Sequence, residues 1–318
     1  MKQPLLSICI PSEGNVKWAM PTIESFYQDN LSFDLYEVIC TDNGTGSDLS
    51  EAVKGLNYPN FHYFKTTSKG YVNQIDAFER STGLFCKMQN SRSPLLPGML
   101  QQLLNLAERY KNERPIIFCS NHALRFKEDI TEYDTLDSFV RALDIFSTWS
   151  GGVCAWREDI DALRGAPYNE TFPHVRYLYD VKGAKRFVIY NQCISKDLSD
   201  EGKGGTNPFR DFLLTYPGIL KELLDNERIS TDTFENMQQS LFRFMTNTYA
   251  NEVLLPTKHA FDLSGLRDSM SIWYGDIKYY QLKVNAFFLL PKIIWGRWKK
   301  RLRMFAVKTV HAFRKNPS

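Results

Sequence analysis

Polar and charged residues that can hold an anionic ligand follow several apolar runs of the chain. Asp42 comes directly after YEVICT, Lys69 stands before a helical pattern, and Arg92 lies just beyond GLFCKMQ. The Asp42 carboxylate can accept a hydrogen bond from a ligand N–H, or it can form an Asx turn with Asn43. Lys69 beside a helix amino end suits a diphosphate, although a surface lysine is also common there. The Arg92 guanidinium can bind a phosphate through two hydrogen bonds.

The apolar runs alternate between strand and helix patterns. LLSICIP, YEVIC, FHYFKTT and GLFCKMQ predict strands, and helices are predicted after LLSICIP, over 71–81 and after Pro97 and Gly98. PIIFCSNHALRF and KRFVIYNQ predict two further strands around a helix at TLDSFVRALDIFSTW, and 210–251 has a helical pattern. This order predicts an α/β fold with a mostly parallel central sheet flanked by helices. Ligands of such sheets bind at the carboxyl ends of the strands, where these polar residues stand.

The composition is that of a folded protein with reduced thiols. Of the 318 residues 43% are hydrophobic and 24% charged, which excludes a disordered or collagen-like chain. The six cysteines are scattered through apolar runs without a CxxC pair, so we expect buried thiols rather than disulfides or a zinc site. The first apolar run is too short for a signal peptide, and we therefore predict a cytoplasmic protein.

The charge of the chain changes sign near its end. Every acidic residue lies at or before Asp276, and eleven Lys and Arg residues follow it. AFFLLPKIIW is too short to span a bilayer, but Phe287, Leu290, Ile294 and Trp298 can share one helix face, continued by Leu302 and Phe305. An apolar face beside many cations predicts an interfacial helix on anionic lipid. The apolar face and the acidic remainder of the chain argue against nucleic acid as the partner.

Four segments together resemble glycosyltransferase family 2, whose members have the GT-A (Rossmann-like) fold. SICIPSEG at 7–14 is similar to the family's SIIIPTYN, and TDNGTGSD at 41–48 is similar to its DNGSTD. Asn73 through Phe85 follows the pattern N-x5-A-x-G-x-Y, and GLFCKMQNSRSPLLPG at 83–98 aligns without a gap on GDYIAFLDDDDLLLPG. The order and spacing of the four segments make the resemblance specific over the first 100 residues.

The resemblance implies a nucleotide-sugar donor and names residues that would hold it. Segment by segment, the implied donor contacts are Pro11, Ser12, Glu13, Asp42, Lys69, Asn73, Asn90, Ser91 and Arg92. Pro11, Ser12 and Glu13 would contact the nucleoside, and Asp42 would bind the base.

The chain departs from the family at its metal-binding acidic motif. Asn90, Ser91, Arg92 and Ser93 stand where the family has carboxylates that hold Mg²⁺ or Mn²⁺. An uncharged donor set binds such cations weakly. We therefore expect Arg92 to neutralise the leaving diphosphate in a reaction with little or no dependence on a divalent metal. The alternative is a donor site that has lost its activity.

The catalytic base is expected after the Gly151-Gly152 pair. Family members carry an Asp at the start of a helix there, and His174 stands near the aligned position with Asp180 two turns later. A histidine titrates near neutral pH and can serve as general base, although a single histidine is more often structural. Asp180 and the REDID acids Glu158, Asp159 and Asp161 are the other candidates.

FPHVRYLYDV and KGGTNPFRDFLLTY resemble the abequosyltransferase-like subgroup, which builds O-antigen or capsule repeats. This implies that Lys203, Gly204, Gly205 and Asn207 shape the acceptor side, the alternative being a solvent loop.

The sequence therefore predicts an inverting glycosyltransferase that moves a sugar onto a lipid-linked saccharide at the inner face of the membrane. The alternative is a non-catalytic GT-A relative that acts as a membrane-associated binding or assembly subunit. The expected division is a donor half at 1–120, an acceptor half with helices at 121–265, and a basic amphipathic tail at 266–318.

Overall fold

The computed structural model describes residues 3–183, 186–199 and 204–315, with side chains to residue 299. The chain forms two compact units, which divide it differently from the expected functional halves. The first comprises Met1–Asp200 with Leu223–Met237, and the second comprises Glu201–Glu222 with Gln238–Ser318.

The first unit is built on a five-stranded sheet. Its strands are β1 (Leu6–Ser12), β2 (Tyr36–Asp42), β3 (Phe61–Lys65), β4 (Phe85–Met88) and β7 (Cys154–Trp156), in the order β3-β2-β1-β4-β7. All neighbours are parallel except β4 and β7. Ser12 pairs with Asp42 and Asp42 with Lys65, so the carboxyl ends of β1, β2 and β3 lie side by side. This confirms the predicted sheet, in which β1, β2 and β4 are largely buried and rich in apolar residues.

Helices of the first unit cover this sheet. They include α1 (Val16–Ser25), α2 (Asp48–Val53), α3 (Asn73–Arg80) and α4 (Met99–Tyr110). The predicted helix at 71–81 begins as a 3-10 turn at Gly70–Val72 and becomes α-helical at Asn73. Gly98 precedes α4 with a left-handed φ of 80°, a conformation that glycine adopts without strain.

A second, three-stranded sheet completes the first unit. It consists of β5 (Ile116–Cys119), β6 (Ile130–Tyr133) and β8 (Phe187–Tyr190), in the order β5-β8-β6. A single bridge between Phe118 and Val153 joins it to the larger sheet. Gly152 allows this contact, because a Cβ there would lie 2.3 Å from the Phe118 ring. The sequence patterns predict neither β6 nor β7.

Short helices connect the strands of the first unit. The predicted helix at TLDSFVRALDIFSTW is α5 (Leu136–Leu143), followed by a 3-10 turn at Asp144–Thr148. The two later helices are α6 (Arg157–Leu163) and α7 (Arg176–Tyr179).

The second unit is helical. It contains α8 (Pro208–Arg210), a π-helical turn (Asp211–Thr215), α11 (Leu266–Ser271), α12 (Gly275–Lys315) and parts of α9 (Tyr216–Asp225) and α10 (Thr231–Glu252). Its apolar core joins Phe209, Leu213, Met245, Met270 and Leu282. The basic tail is mostly the single helix α12, which continues past Pro291.

One buried side-chain amide fastens the ends of three strands. Asn73 Nδ2 donates to the carbonyl oxygens of Ser12 (3.1 Å) and Thr41 (3.2 Å). Its Oδ1 accepts a hydrogen bond from Thr66 Oγ1 at 2.9 Å, just beyond β3. All hydrogen-bonding positions of the amide thus lie within the protein, and the side chain is 2% exposed. We call this arrangement the Asn73 joint.

We predict that Asn73→Ala lowers the free energy of unfolding by about 3 kcal/mol, because two strand-end carbonyls lose their buried donor. Urea unfolding followed by circular dichroism measures the change. Asn105→Ala, on the exposed face of α4, is the control and should change stability by less than about 0.5 kcal/mol. Equal stability of Asn73→Ala and wild type would contradict the role of the joint.

Candidate functional site

The loops after β1 and β2 touch through their backbones. The Asn43 N–H donates to the Ser12 carbonyl at 3.1 Å. A Cβ on Gly44 would lie 2.3 Å from the Glu13 carbonyl oxygen, so only glycine fits there. Ser12 is buried, Pro11 is half-buried, and Glu13 is exposed. Of these three predicted donor contacts, Glu13 is therefore the side chain most open to a ligand.

Asp42 is completely buried, which differs from its expected role in binding a base. Its Oδ1 accepts a hydrogen bond from the Gly44 N–H at 2.8 Å, which is the Asx turn left open by the sequence. Its Oδ2 accepts from Tyr63 Oη (2.7 Å) and from Lys65 Nζ (3.0 Å). Burial raises the pKa of Tyr63, and the hydrogen bond to Asp42 raises it further, so the phenol stays a donor. In this arrangement Asp42 orients Tyr63 and Lys65 rather than meeting a ligand itself.

Lys69 lies exposed at the same edge of the sheet. The Asn43 amide donates to the carbonyls of Ser68 (2.9 Å) and Gly70 (3.0 Å), which fixes the turn that carries Lys69. Asn73, the other predicted contact here, is fully used by the Asn73 joint. Lys69 thus remains placed for an anion, while Asn73 acts by holding the strand ends.

The segment Asn90–Ser93 follows β4 and packs against the turn at 149–152. Ser150 Oγ donates to Asn90 Oδ1 at 3.5 Å. A Cβ on Gly151 would lie 3.0 Å from Asn90 Nδ2, so the glycine pair lets this turn approach. Asn90 and Ser91 are both half-buried, and Ser93 is buried.

Arg92 is held through its backbone, and its side chain makes no hydrogen bond within the described residues. The Arg92 carbonyl accepts a hydrogen bond from the Leu198 N–H at 2.9 Å. Within the described part of the chain, the half-buried guanidinium has no hydrogen bond or ion pair. It is therefore available to an anion.

The segment around residues 194–198 brings a carboxylate that the sequence did not indicate. Leu95 and Ser195 form an antiparallel bridge, and Ser93 Oγ donates a hydrogen bond to Asp197 Oδ1. Asp197 is exposed and lies beside the segment where the family has its acids. It was missed because the contact joins residues 104 positions apart in the chain.

Lys87 and Gln89 form a second polar network that the sequence analysis missed. Lys87 Nζ donates to the carbonyls of Met88 (2.8 Å) and Gly151 (3.0 Å) and to Gln89 Oε1 (2.8 Å). Gln89 Nε2 in turn donates to the Ser93 carbonyl. The network connects the 149–152 turn to the Asn90–Ser93 segment. The signal was present, since a lysine and a glutamine interrupt the apolar run FCKMQ.

His174 does not fit the predicted role of general base in this structure. The ring is 3% exposed, and neither nitrogen makes a hydrogen bond of ordinary geometry. Burial lowers its pKa to about 4, and the backbone near Ser147 and Thr148 offsets only part of that effect. A buried imidazole of such low basicity supports the packing of the 144–148 turn instead.

The other candidate bases lie elsewhere. Asp180 ends α7 and lies 4.0 Å from Arg228. Glu158, Asp159 and Asp161 belong to α6, which follows β7. Because β7 runs antiparallel to β4, with Trp156 opposite Phe85, α6 starts at the amino edge of the parallel strands. These three acids are therefore at the wrong edge for a ligand of Arg92.

The predicted acceptor-side residues belong to the second unit. Gly204 forms a bridge with Ala260, and Asn207 accepts a hydrogen bond from the Arg210 N–H at 3.0 Å as the cap of α8. Gly205 has a left-handed φ of 79°, and Lys203 lies outside the described residues. A role of this segment toward an acceptor stays a prediction.

The residues after β4 do not fit a divalent metal ion. The segment Asn90–Ser93 offers the side-chain oxygens of one amide and two hydroxyls, and Asp197 beside it adds a single carboxylate, whereas Mg²⁺ and Mn²⁺ prefer several carboxylates and phosphates. In the described ranges no group of three or more His, Cys, Asp and Glu side chains is arranged to hold a metal.

We predict that His174 makes the stability of the protein fall between about pH 6.5 and pH 4. Its folded pKa of about 4 is below the unfolded value of about 6.5, so protonation favours unfolding as the pH drops through this window. Between pH 7 and pH 5 the free energy of unfolding of the wild type, measured with urea, should fall by about 2 kcal/mol more than that of His174→Gln. His122→Gln, which changes an exposed histidine, is the control. Parallel pH profiles of wild type and His174→Gln would contradict the burial of a neutral ring.

Comparison with known proteins identifies the fold. No protein-family model and no curated protein sequence matches the chain. Among solved structures, S. aureus TarS 1–349 in complex with UDP-GlcNAc is similar, with a TM-score of 0.57 and 15% identity over 78% of this chain and 76% of that one. The same TarS fragment alone gives a TM-score of 0.55 at 16% identity, over 78% and 75% of the two chains.

A mannosyltransferase matches over almost the whole chain. PcManGT from Pyrobaculum calidifontis, solved with GDP-Man and Mn²⁺, gives a TM-score of 0.52 at 11% identity and covers 98% of this chain and 88% of its own. The mostly parallel sheet flanked by helices agrees with these structures. The chain has the GT-A fold of glycosyltransferases.

Proposed function

We propose that the protein is a glycosyltransferase that uses a nucleotide-sugar donor. The fold supports this, since similar structures were solved with UDP-GlcNAc and with GDP-Man. The observation that carries the proposal is the unpaired guanidinium of Arg92 at the carboxyl end of β4, within the described residues. Glu13 and Lys69 stand exposed after the neighbouring strands of the same sheet. A strand edge that carries the cations Arg92 and Lys69 suits the diphosphate of a nucleotide-sugar.

The proposed reaction is a single displacement with inversion. An acceptor hydroxyl attacks the anomeric carbon, the bond from that carbon to the diphosphate oxygen breaks, and the nucleoside diphosphate leaves. Arg92 stabilises the negative charge that grows on the diphosphate. Asp197, the exposed carboxylate beside Ser93, takes the proton of the hydroxyl in place of His174.

A second candidate function is binding without catalysis. The absence of acids from the sequence Asn90–Ser93 and the burial of His174 favour it. Such a relative would bind a nucleotide and turn over no donor, so one assay separates the two functions.

We predict that Arg92→Ala lowers kcat by about 10²- to 10³-fold, the usual cost of removing one donor from a developing anion. Asp197→Asn should lower kcat at least about 100-fold while nucleotide affinity stays unchanged, as expected for a lost base. Turnover is measured by release of nucleoside diphosphate from a panel that includes UDP-GlcNAc and GDP-Man. Arg109→Ala, an exposed arginine on α4, is the control and should keep full activity.

Excess EDTA in the same assay should leave wild-type turnover within about twofold of the rate without EDTA. We expect this because Arg92 supplies the positive charge that stabilises the leaving diphosphate. Abolition by EDTA would overturn the role of Arg92 in place of a metal. Nucleotide binding without turnover of any donor would favour the non-catalytic function.

We also propose that α12 holds the protein on an anionic membrane surface. Leu282 and Ala286 are fully buried on one side of the helix. At about 100° per residue, the opposite side carries a stripe of exposed apolar residues, which we call the α12 stripe. Its members are Ile277, Tyr280, Val284, Phe287, Phe288, Ile294, Trp295 and Trp298. Of the predicted face, Leu290 is instead half-buried, and the side chains of Leu302 and Phe305 lie outside the described residues.

Cations stand beside the α12 stripe. Lys283, Lys292 and Lys299 are exposed, and Lys299 lies 5.2 Å from the Trp295 ring. No acidic residue follows Asp276, so the charge favours an anionic surface over a second copy of the helix. None of the described helices is both long enough and apolar enough to cross a bilayer. Placement at the inner membrane face and a lipid-linked saccharide acceptor agree with an interfacial helix and belong to this proposal.

We predict that the protein co-sediments with vesicles that contain anionic lipid and that Phe287→Ser with Trp295→Ser reduces this binding at least tenfold. Each of these side chains contributes about 1.5–3 kcal/mol when it is buried in an apolar environment. Vesicle sedimentation with and without phosphatidylglycerol measures the effect.

Phe33→Ser is the matched control, since Phe33 is an exposed phenylalanine outside α12. Lys283→Gln with Lys292→Gln should weaken binding to anionic vesicles only, by about 1 kcal/mol for each cation. Wild type that fails to bind anionic vesicles would overturn the membrane proposal.

A further inference from the structure

A lysine is buried inside β4, the strand that leads to the candidate donor site. The Lys87 side chain is 1% exposed, and it is the one lysine among the buried residues of the described chain. The three hydrogen bonds of its ammonium go to Met88, Gln89 and Gly151, and all three acceptors are neutral oxygens.

The charge of Lys87 has no acidic partner. A buried ammonium is normally paired with a carboxylate, because taking a charge out of water is costly. Within the described chain no Asp or Glu forms an ion pair with Lys87, and the ionisable side chains that act on it are the buried thiols of Cys9, Cys119 and Cys154. Burial lowers its pKa, as expected for a cation without a counter-ion.

The surroundings of Lys87 contain one further cation, Arg92, and one carboxylate, Asp197. Arg92 has an unpaired guanidinium, and Asn90–Ser93 contains no acid. The carboxylate of Asp197 is hydrogen bonded to Ser93 and makes no ion pair with Arg92 or Lys87 in the described structure. The end of β4 is thus a cationic place where relatives of the family are acidic.

We propose that the positive charge of Lys87 compensates part of the negative charge of the donor's diphosphate. Lys87 thus gains an anionic partner only when the nucleotide binds. The inference rests on the proposed function, since it assigns a partner to that same site. Lys87 acts as a positioning residue, because its protons are already bonded to protein oxygens. Its charge attracts the diphosphate. Its hydrogen bonds also hold Gln89 and the 149–152 turn against Asn90–Ser93, the segment that would contact the ligand.

A structural role alone would make Lys87 replaceable by a neutral donor. Lys87→Gln keeps a hydrogen-bond donor and removes the charge, and Lys87→Met removes both. Met88→Leu, the neighbouring buried residue with its volume conserved, controls for disturbance of the strand.

The experiment compares the affinity of each folded variant for UDP or GDP, whichever binds the wild type, with its affinity for the corresponding nucleoside. Isothermal titration calorimetry gives both constants. We expect Lys87→Gln and Lys87→Met to bind the diphosphate at least tenfold more weakly and the nucleoside within about twofold of wild type, since only the diphosphate carries charge. Met88→Leu should bind both ligands as the wild type does.

An unchanged ratio of diphosphate to nucleoside affinity in Lys87→Gln would overturn the inference and leave the proposed function intact. Wild type that binds neither nucleotide would overturn both. If the variants do not fold, ¹⁵N-lysine NMR of the wild type decides the question. The slowly exchanging ammonium resonance of the buried lysine should shift with the diphosphate and stay in place with the nucleoside, and an unshifted resonance would overturn the inference.

Discussion

The hydrogen bonds of one buried amide decide where the candidate site is formed. Carbonyl groups at the ends of buried parallel strands need hydrogen-bond donors from outside the ladder. Asn73 satisfies those of Ser12 and Thr41 and binds Thr66 as well. α3 begins at the same residue, just after the turn that carries Lys69 and that the Asn43 amide holds. The loops after three strands therefore share one anchor.

The strands and turns that could be predicted from the sequence are those with a recognisable local residue pattern. Strands β1 to β4 were found because long apolar runs buried on both faces need no tertiary information, and the turn after β2 was found from its Gly, Asn and Asp content. β7 has only 3 residues, and β6 (ITEY) is polar in its centre and only partly buried, so neither gives an apolar run. The fold class could therefore be predicted, and the second sheet could not.

For the candidate site residues, the sequence indicated accessibility only where it follows from position in a loop, and their roles stay predictions. Arg92 and Lys69 stand in loops, and their side chains remain accessible. Asp42 and His174 were chosen by residue type, but their burial depends on partners distant in sequence, such as Tyr63 and the 144–148 turn. The same holds for Asp197, which reaches the site by pairing with a segment far along the chain. Tertiary packing decides which polar side chains remain accessible to a ligand, and a local sequence pattern does not contain that information.

Under the proposed membrane placement, the two sides of α12 have a consequence for how an acceptor would be met. One side is needed for the core of the second unit through Leu282, so the α12 stripe cannot turn inward without breaking that core. A protein resting on this stripe searches in two dimensions, and an acceptor in the same layer is met at a raised effective concentration. Encounter rate would then depend on the area of the membrane rather than on the volume of the cell, and even a weak acceptor site would be sufficient.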